Sequence, residues 1–281
     1  MKTRAFGPIG EEVAVVGQGT WNLERDDRRA ALAALRRGLD AGMTHVDTAE
    51  MYGDGRVEEI VGEALVGRRD EVFLVSKVLP QNASRRGTVQ ACGRSLHRLR
   101  TDHLDCYLLH WPGSYPLKDT LAAFEELVAA GKIRSWGLSN FDEEGLARAV
   151  ALAGPDRVAC NQVLYHLQER AIEHAVIPFC AEHDIAVVAY SPFGSGEFPS
   201  PGSAGGRVLA EIAKARGATP HQIALAFLLR LPSLFAIPKA ANAEHAADNA
   251  AAAEIELSED EVRRLDRAFP RGPRRKGVPT L

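Results

Sequence analysis

The sequence predicts an α/β fold, a single (β/α)8 barrel with one extra helix at its C-terminal end. Apolar or β-branched runs alternate eight times with amphipathic or alanine-rich segments, which is typical of βα units around a parallel sheet. Polar residues follow several of these runs, at the strand ends where barrels of this kind place their active sites. No change of composition marks a second domain, so we expect one barrel domain over residues 1–281.

Eight strands are predicted from short apolar runs that end at polar or turn residues. The runs VFLVSK and LDCYLLH show the pattern most clearly, because each is almost wholly apolar until it stops at Lys77 or His110. The predicted strands cover residues 13–16, 44–47, 72–77, 104–110, 133–138, 159–162, 186–190 and 234–237.

Helices are predicted between these strands from amphipathic or alanine-rich spacing. They cover residues 27–41, 57–66, 88–99, 117–130, 143–152, 171–183, 220–230 and 243–252. A further helix over 258–269 begins with Ser258 as a cap and the acidic turn EDE, and we expect it to pack outside the barrel. The stretch GSGEFPSPGSAGG (194–206) is either a strap over a bound cofactor or an exposed loop.

Composition excludes several functional classes. With 46% hydrophobic residues, 25% charged residues and a net charge of −3, the chain has the make-up of an ordinary globular protein rather than a nucleic-acid-binding one. The longest apolar stretch, IALAFLLRL (223–231), is too short to cross a bilayer, and residues 1–10 lead into no signal-like segment. We therefore expect a cytoplasmic protein without membrane or nucleic-acid partners, and a monomer by default.

The four cysteines are widely scattered, with no CxxC pair and no histidine at metal-ligand spacing. This pattern favours free buried thiols over disulfides and indicates no metal site.

The chemistry is carried by four residues at successive strand ends: Asp47, Tyr52, Lys77 and His110. A phenol has a pKa of about 10 and holds its proton at neutral pH, and a nearby ammonium from Lys77 would stabilise the phenolate formed when Tyr52 gives that proton away. Asp47 can orient Lys77, and His110 can donate a hydrogen bond to a carbonyl oxygen. Each residue alone has an ordinary structural explanation, but their joint occurrence predicts proton delivery beside a hydride-transfer site.

The chain resembles the aldo-keto reductase family over nearly its whole length, and most closely its compact bacterial members that reduce methylglyoxal and other small aldehydes. The motifs that carry the resemblance occur in the order and spacing of the family. They are GQGTW (17–21), DTAEMYG (47–53), VSK (75–77), LHWP (109–112), GKIRSWGLSNF (131–141), NQVLYH (161–166), AYSPF (189–193) and IPKA (237–240). The resemblance implies the same catalytic roles for the four residues above.

The resemblance also implies a nicotinamide cofactor, with NADPH expected and NADH possible. Tyr190 would stack on the nicotinamide, and Ser139, Asn140 and Gln162 would hold its carboxamide. From the residues alone, Tyr190 is equally well a core aromatic, and the two amides can satisfy loop backbone. The full set of implied cofactor residues is Thr20, Trp21, Asp47, Ser139, Asn140, Gln162, Tyr190, Ser191, Phe193, Lys239, Ala240, His245, Asp248 and Asn249.

The segment after the eighth predicted strand departs from the family. KAANAEHAADN (239–249) keeps Lys239 and Asn249, but Ala240 lacks a hydroxyl and His245 stands where an arginine would grip a 2′-phosphate. A histidine is mostly neutral near pH 7, so we expect a weaker clamp and a modest NADPH preference that increases at lower pH. Lys239 and the following helix start both favour an anion, and no acidic residue is evident that would take a ribose hydroxyl instead.

The substrate pocket is expected to be formed by Trp21, Tyr52, His110 and Trp111, where the two indoles give apolar walls. The sequence GQGTWN that contains Trp21 begins like a dinucleotide fingerprint but lacks the third glycine, so it predicts no Rossmann site. The basic tail 270–281 either approaches the pocket mouth or is frayed in solvent, and a frayed tail is favoured.

Together these observations predict NADPH-dependent reduction of an aldehyde or small dicarbonyl, such as methylglyoxal, with Tyr52 as the general acid. An alternative is a low-turnover, cofactor-binding or regulatory protein that keeps the fold. A phosphate-binding lyase or isomerase barrel is disfavoured, because it would have no use for Tyr52 beside Lys77.

Overall fold

Eight parallel strands form a closed barrel, and the computed structural model describes all 281 residues. The ten strands of the chain are β1 (Thr3–Ala5), β2 (Glu12–Ala14), β3 (Gln18–Gly19), β4 (His45–Asp47), β5 (Phe73–Val78), β6 (Leu104–Leu109), β7 (Ile133–Ser139), β8 (Val158–Leu164), β9 (Ala186–Tyr190) and β10 (Leu234–Ala236). From β3 to β10, each strand pairs in parallel with the next one along the chain. Parallel bridges from Val16 to Ala236 and from Gly19 to Lys239 close the ring. The predicted (β/α)8 barrel is confirmed.

Two glycines permit the close approach of neighbouring strands, Gly19 at the closing seam and Gly17 beside β4. A Cβ added at Gly19 would lie 2.4 Å from the carbonyl oxygen of Ile237, and one at Gly17 would lie 2.6 Å from that of His45. Both obstacles are backbone atoms that cannot move aside, so the positions require glycine. The glycines of GQGTWN therefore serve the close packing of neighbouring barrel strands, in agreement with the interpretation that they form no Rossmann fingerprint.

The predicted first strand, 13–16, was wrong as a barrel strand except at Val16, which bridges to Ala236 of β10. Residues Glu12–Ala14 pair antiparallel with Thr3–Ala5 in a hairpin outside the ring, and Gln18–Gly19 provides the first barrel strand instead. The apolar run is still buried, because the segment crosses the floor of the barrel where Phe6 packs against the rings of Phe73 and Phe235. Burial, with barrel pairing only at the end of the run, gave it its strand-like composition.

Ten α-helices accompany the strands. They are α1 (Arg28–Asp40), α2 (Arg56–Ala64), α3 (Arg85–Leu99), α4 (Leu117–Ala129), α5 (Glu143–Ala153), α6 (Val176–Glu182), α7 (Ala204–Arg216), α8 (Pro220–Leu228), α9 (Ala243–Ala251) and α10 (Glu259–Ala268). Side-chain caps define several starts, such as Asp27, which accepts a hydrogen bond from the amide of Ala30. None of the helices is both long and apolar enough to traverse a membrane. All four cysteines are buried free thiols, as predicted.

Helix α7 was not predicted. Its start lies inside the stretch 194–206, where glycine, serine and proline suggested a loop. Ser203 caps the helix by accepting from the amide of Gly206, and a left-handed Gly217 ends it. Leu209 and Ile212 are buried one turn apart, so the capping signal and the spacing were both present in the sequence.

The predicted C-terminal helix is confirmed as α10. Ser258 and Glu261 form a capping box at its start. The helix packs outside the barrel against α7, where Arg216 of α7 donates to Glu261 at 2.8 Å and Arg264 of α10 donates to Glu211 at 2.6 Å.

Candidate active site

Lys77 lies at the centre of a buried polar cluster at the carboxyl end of the barrel. Its Nζ donates to Asp47 Oδ1 at 2.6 Å, to the carbonyl oxygen of Thr48 at 2.9 Å and to the hydroxyl of Tyr52 at 3.1 Å. The neighbouring strands β4 and β5 bring the groups together, since Asp47 ends β4 and pairs in register with Val75 of β5. Three acceptors thus use all three ammonium hydrogens.

Tyr52 reaches this cluster from a short turn after β4. Gly53 and Asp54 within that turn have positive φ values of 55° and 54°, which reverse the chain so that α2 can start at Arg56. The ring of Tyr52 also lies under the ammonium of Lys77, at 4.8 Å from Nζ to the ring centroid. The turn therefore places a phenol between a buried cation and the open cleft.

Burial and charge act in opposite directions on the ion pair. Burial raises the pKa of Asp47 above its ordinary value, although Lys77 and a hydrogen bond from Gln162 oppose that shift. Burial alone would lower the pKa of Lys77, but the charge of Asp47 and the hydrogen bonds to Asp47 and Tyr52 outweigh it, so the Lys77 pKa is raised. Lys77 is therefore an ammonium at neutral pH, and its charge is available to the neighbouring phenol.

The other two groups are neutral at physiological pH. Burial raises the pKa of Tyr52, while Lys77 lowers it by a smaller amount, so the phenol keeps its proton. Burial, and secondly the charge of Lys77, lowers the pKa of His110 to about 2. The His110 ring lies 5.8 Å from the Tyr52 ring between centroids, and its Nδ1 is buried without a hydrogen-bond partner. A phenol and a neutral imidazole, both able to donate, therefore face the same cleft.

The cleft over this cluster has a volume of about 1330 Å³. Its mouth carries apolar walls from Trp21, Trp111 and Tyr115, and Trp21 is 39% exposed. Of the predicted site residues, those that line the cleft are Thr20, Trp21, Asp47, Tyr52, His110, Trp111, Ser139, Asn140, Gln162, Tyr190, Ser191, Phe193 and Lys239. Lys77 lies just beneath the lining and contacts it through Asp47 and Tyr52.

The predicted amide groups meet at one wall of the cleft. Gln162 donates to Asp47 Oδ2 at 2.7 Å, which fixes the amide and the carboxylate together. Tyr190 donates its hydroxyl to Asn140 Oδ1 at 3.0 Å, and Asn140 Nδ2 donates to the carbonyl oxygen of His110 at 3.1 Å. Tyr190 is half-buried, so part of its ring remains open to the cleft. Asn140 therefore also satisfies a backbone carbonyl, as the alternative interpretation of this residue had it.

Lys239 occupies another part of the lining and has an acidic partner. Its Nζ lies 2.5 Å from Oδ2 of Asp26, a residue that sequence reasoning did not single out. No acidic residue was evident in the sequence to take a ribose hydroxyl, and the sequence did not indicate that Asp26 lies beside Lys239. The reason is that Asp26 precedes α1, more than two hundred residues from Lys239 in sequence, and no local pattern reports the contact.

The remaining predicted cofactor residues do not line the cleft. They are Ala240, His245, Asp248 and Asn249. His245 is exposed on the first turn of α9, where its amide is capped by Asn242. Asp248 accepts from Thr219 and Gln222, so its carboxylate holds α8 and α9 together.

The beginning of the stretch 194–206 borders the cleft. Ser195 and Gly196 line it, and Phe198 is stacked on His221 with 4.0 Å between ring centroids. Ser195 and Gly196 are also exposed, so the strap over a bound cofactor and the exposed loop both stay predictions.

The favoured expectation of a frayed C-terminal tail was wrong. Val278 and Leu281 line the cleft, and ion pairs of Arg274 with Glu143 and of Arg275 with Glu169 hold the tail against the barrel. The arginine-rich composition of the tail suggested that it is solvated. Its acidic partners could not be foreseen, because they lie on distant parts of the chain.

The residues of the cleft fit a nicotinamide dinucleotide. The volume of the cleft exceeds the roughly 300 to 1,000 Å³ that is usual for small-ligand sites. A flat aromatic face at Tyr190 and the amides of Asn140 and Gln162 suit an aromatic amide ring, and Lys239 suits an anionic group elsewhere along the cleft.

Comparisons with known proteins agree with this geometry. The sequence profile of the Aldo/keto reductase family matches residues 15–269. The chain is 47% identical over 257 residues to methylglyoxal reductase YeaE of Escherichia coli (strain K12), covering 91% of this chain and 90% of that protein. It is 30% identical over 260 residues to glyoxal reductase of Bacillus subtilis (strain 168), covering 92% and 89%.

A solved structure shares the whole architecture. An aldo-keto reductase from Klebsiella pneumoniae, crystallised in complex with NADPH, superposes with a TM-score of 0.93 at 45% identity. The match covers 100% of this chain and 99% of that one. The fold, the profile and the relatives agree, and the chain belongs to the aldo/keto reductase family of NAD(P)H-dependent oxidoreductases.

Proposed function

We propose that this protein reduces aldehydes or small dicarbonyls, such as methylglyoxal, with NADPH, and that Tyr52 is the general acid. The observation that carries the proposal is the buried ammonium of Lys77, which contacts both Asp47 and the hydroxyl of Tyr52 directly beneath the cleft. The names of the relatives from Escherichia coli and Bacillus subtilis support small dicarbonyls as the substrate class.

When bound, a reduced nicotinamide supplies a hydride to the carbonyl carbon. Tyr52 donates its phenolic proton to the carbonyl oxygen, which completes the alcohol. Lys77 stabilises the phenolate that remains, because its ammonium already lies 3.1 Å from that oxygen. Asp47 keeps Lys77 charged and oriented, since it accepts the shortest of the three hydrogen bonds of Nζ.

His110 orients the substrate. Its depressed pKa keeps the imidazole neutral through the physiological range, so it acts as a hydrogen-bond donor rather than as the acid. Trp21 and Trp111 give the substrate an apolar surround, which strengthens the polar contacts at the carbonyl oxygen. The reverse oxidation uses the same groups, with the Tyr52 phenolate as base.

The experiment is a steady-state assay of NADPH consumption with methylglyoxal, glyoxal, an aromatic aldehyde, an aldose and a ketosteroid. We expect the dicarbonyls and the aromatic aldehyde to have the highest kcat/KM values. Tight NADPH binding without reduction of any carbonyl would contradict the proposal and favour a non-catalytic role.

A further inference from the structure

The ammonium of Lys239 is neutralised before any cofactor arrives. Its Nζ lies 2.5 Å from Asp26 Oδ2, and the side chains are 31% and 25% exposed. Asp26 Oδ2 is buried, and Lys239 is the one cation that forms an ion pair with it. The cation best placed to bind an anionic cofactor group therefore carries its own counter-ion.

The fold holds Asp26 at this position. Lys239 is bridged to Gly19, and the chain runs from Gly19 into a short 3-10 turn over Leu23–Arg25 whose Leu23 is buried. The amide of Asp26 closes that turn by donating to the carbonyl oxygen of Leu23 at 3.2 Å, and Asp27 then caps α1. Asp26 is thus fixed between two ordered elements rather than carried on a free loop.

We propose that Asp26 determines cofactor specificity by opposing the 2′-phosphate of NADPH at Lys239. This inference rests on the proposed function, in which Lys239 receives that phosphate. A phosphate monoester carries about −1.5 to −2 charges near pH 7, so it must compete with the carboxylate for the lysine and is also repelled by it. A ribose 2′-hydroxyl carries no charge, and it can donate a hydrogen bond to the same carboxylate.

The residues that follow Lys239 make the competition between Asp26 and a phosphate for this lysine more important. Ala240 has no hydroxyl to offer a phosphate, and His245 lies exposed on α9 in place of a permanently charged side chain. Lys239 is therefore the one permanent cation within residues 239–249. Neutralising it weakens phosphate binding more than it would in a site with two permanent cations.

The test is isothermal titration of two cofactor fragments, adenosine 2′,5′-bisphosphate and adenosine 5′-monophosphate, which differ only in the 2′-phosphate. Asp26→Asn should tighten the bisphosphate by about three- to tenfold, the scale of one exposed ion pair and one like-charge repulsion. Binding of the monophosphate should stay within about twofold.

Asp27→Asn is the matched control. It removes the same charge one residue away, and asparagine keeps the helix cap. A gain limited to Asp26→Asn supports a direct effect at Lys239 rather than a general field effect. In the Lys239→Met background, Asp26→Asn should bring no gain, because the residue through which it acts is missing.

The outcomes separate this inference from the proposed function. NADPH binding by the wild type with no selective gain in Asp26→Asn, an equal gain for both fragments, or an equal gain in Asp27→Asn would overturn the inference alone. A wild type that binds neither NADPH nor the bisphosphate would overturn both.

Discussion

Replacing Lys77 by methionine tests the geometry of the buried cluster most severely. The change removes three hydrogen bonds and leaves Asp47, only 1% exposed, with Gln162 as its single side-chain partner. Breaking a buried ion pair by removing one partner costs about 3 to 5 kcal/mol, because an uncompensated charge remains. We therefore expect Lys77→Met to lower the free energy of unfolding by about that amount at pH 7.5.

The destabilisation expected for Lys77→Met depends on the buried charge of Asp47, so a change at Asp47 checks the prediction. The double variant Asp47→Asn with Lys77→Met has no buried charge left, so it should be more stable than Lys77→Met alone. Without Lys77, the folded-state pKa of Asp47 rises further above its ordinary 3.8, and the folded variant takes up a proton that the unfolded chain does not. The loss of stability of Lys77→Met relative to wild type should thus become smaller as the pH falls below the raised pKa of Asp47.

Urea unfolding at pH 7.5 and pH 5.5 measures these differences. Lys118→Met is the matched control, because Lys118 is exposed at the rim of the same cleft, and its loss should change stability by no more than about 0.5 kcal/mol. The reasoning fails if Lys77→Met lies within about 1 kcal/mol of wild type, or if the double variant is no more stable than the single one. Lys77→Met should also shift the onset of alcohol oxidation to higher pH, since Tyr52 loses the cation that favours its phenolate.

Two further predictions concern histidines. Burial lowers the pKa of His45 to about 3, below its ordinary 6.5, so the unfolded chain takes up a proton that the folded one does not, and stability is lost as pH falls below 6.5. Between pH 7.5 and pH 5, this proton uptake should lower the free energy of unfolding by about 2 kcal/mol. His45→Phe should remove that part of the loss, as measured by urea unfolding. An identical loss in both proteins would contradict the lowered pKa of His45. His245→Arg should strengthen NADPH binding by about 1 to 2 kcal/mol in fluorescence titration and leave NADH binding unchanged. Equal effects on the binding of both cofactors would show that residue 245 does not contact the 2′-phosphate.

The fold could be predicted where one local pattern has one structural meaning. The runs ending at Lys77 and His110 are buried strands of the barrel, and the cap at Ser258 begins a helix. The run 13–16 misled because most of it is buried without pairing in the barrel, and burial alone gives the same apolar composition as a barrel strand. Helix α7 was missed because glycines at its start suggested a loop, although Gly206 is needed there: an added Cβ would lie 1.9 Å from the carbonyl oxygen of Ser200.

The candidate site could be predicted only as far as topology brings residues together. Strand ends of a parallel barrel meet at one face, which is why Asp47 and Lys77 could be placed side by side from their positions alone. The ion pair of Asp26 with Lys239 and the docking of the tail near Leu281 depend on loop conformations. Contacts of that kind join distant parts of the chain through geometry that no local pattern encodes.

The most direct test of the account is the single-turnover rate of NADPH oxidation by methylglyoxal in wild type and Tyr52→Phe. Phenylalanine keeps the ring beneath the Lys77 ammonium and removes only the acidic hydroxyl. The account predicts a rate lower by roughly 10²-fold or more, the scale of lost general acid catalysis, with the affinity for NADPH near that of wild type. A Tyr52→Phe rate within about threefold of wild type would contradict the central claim that Tyr52 delivers the proton.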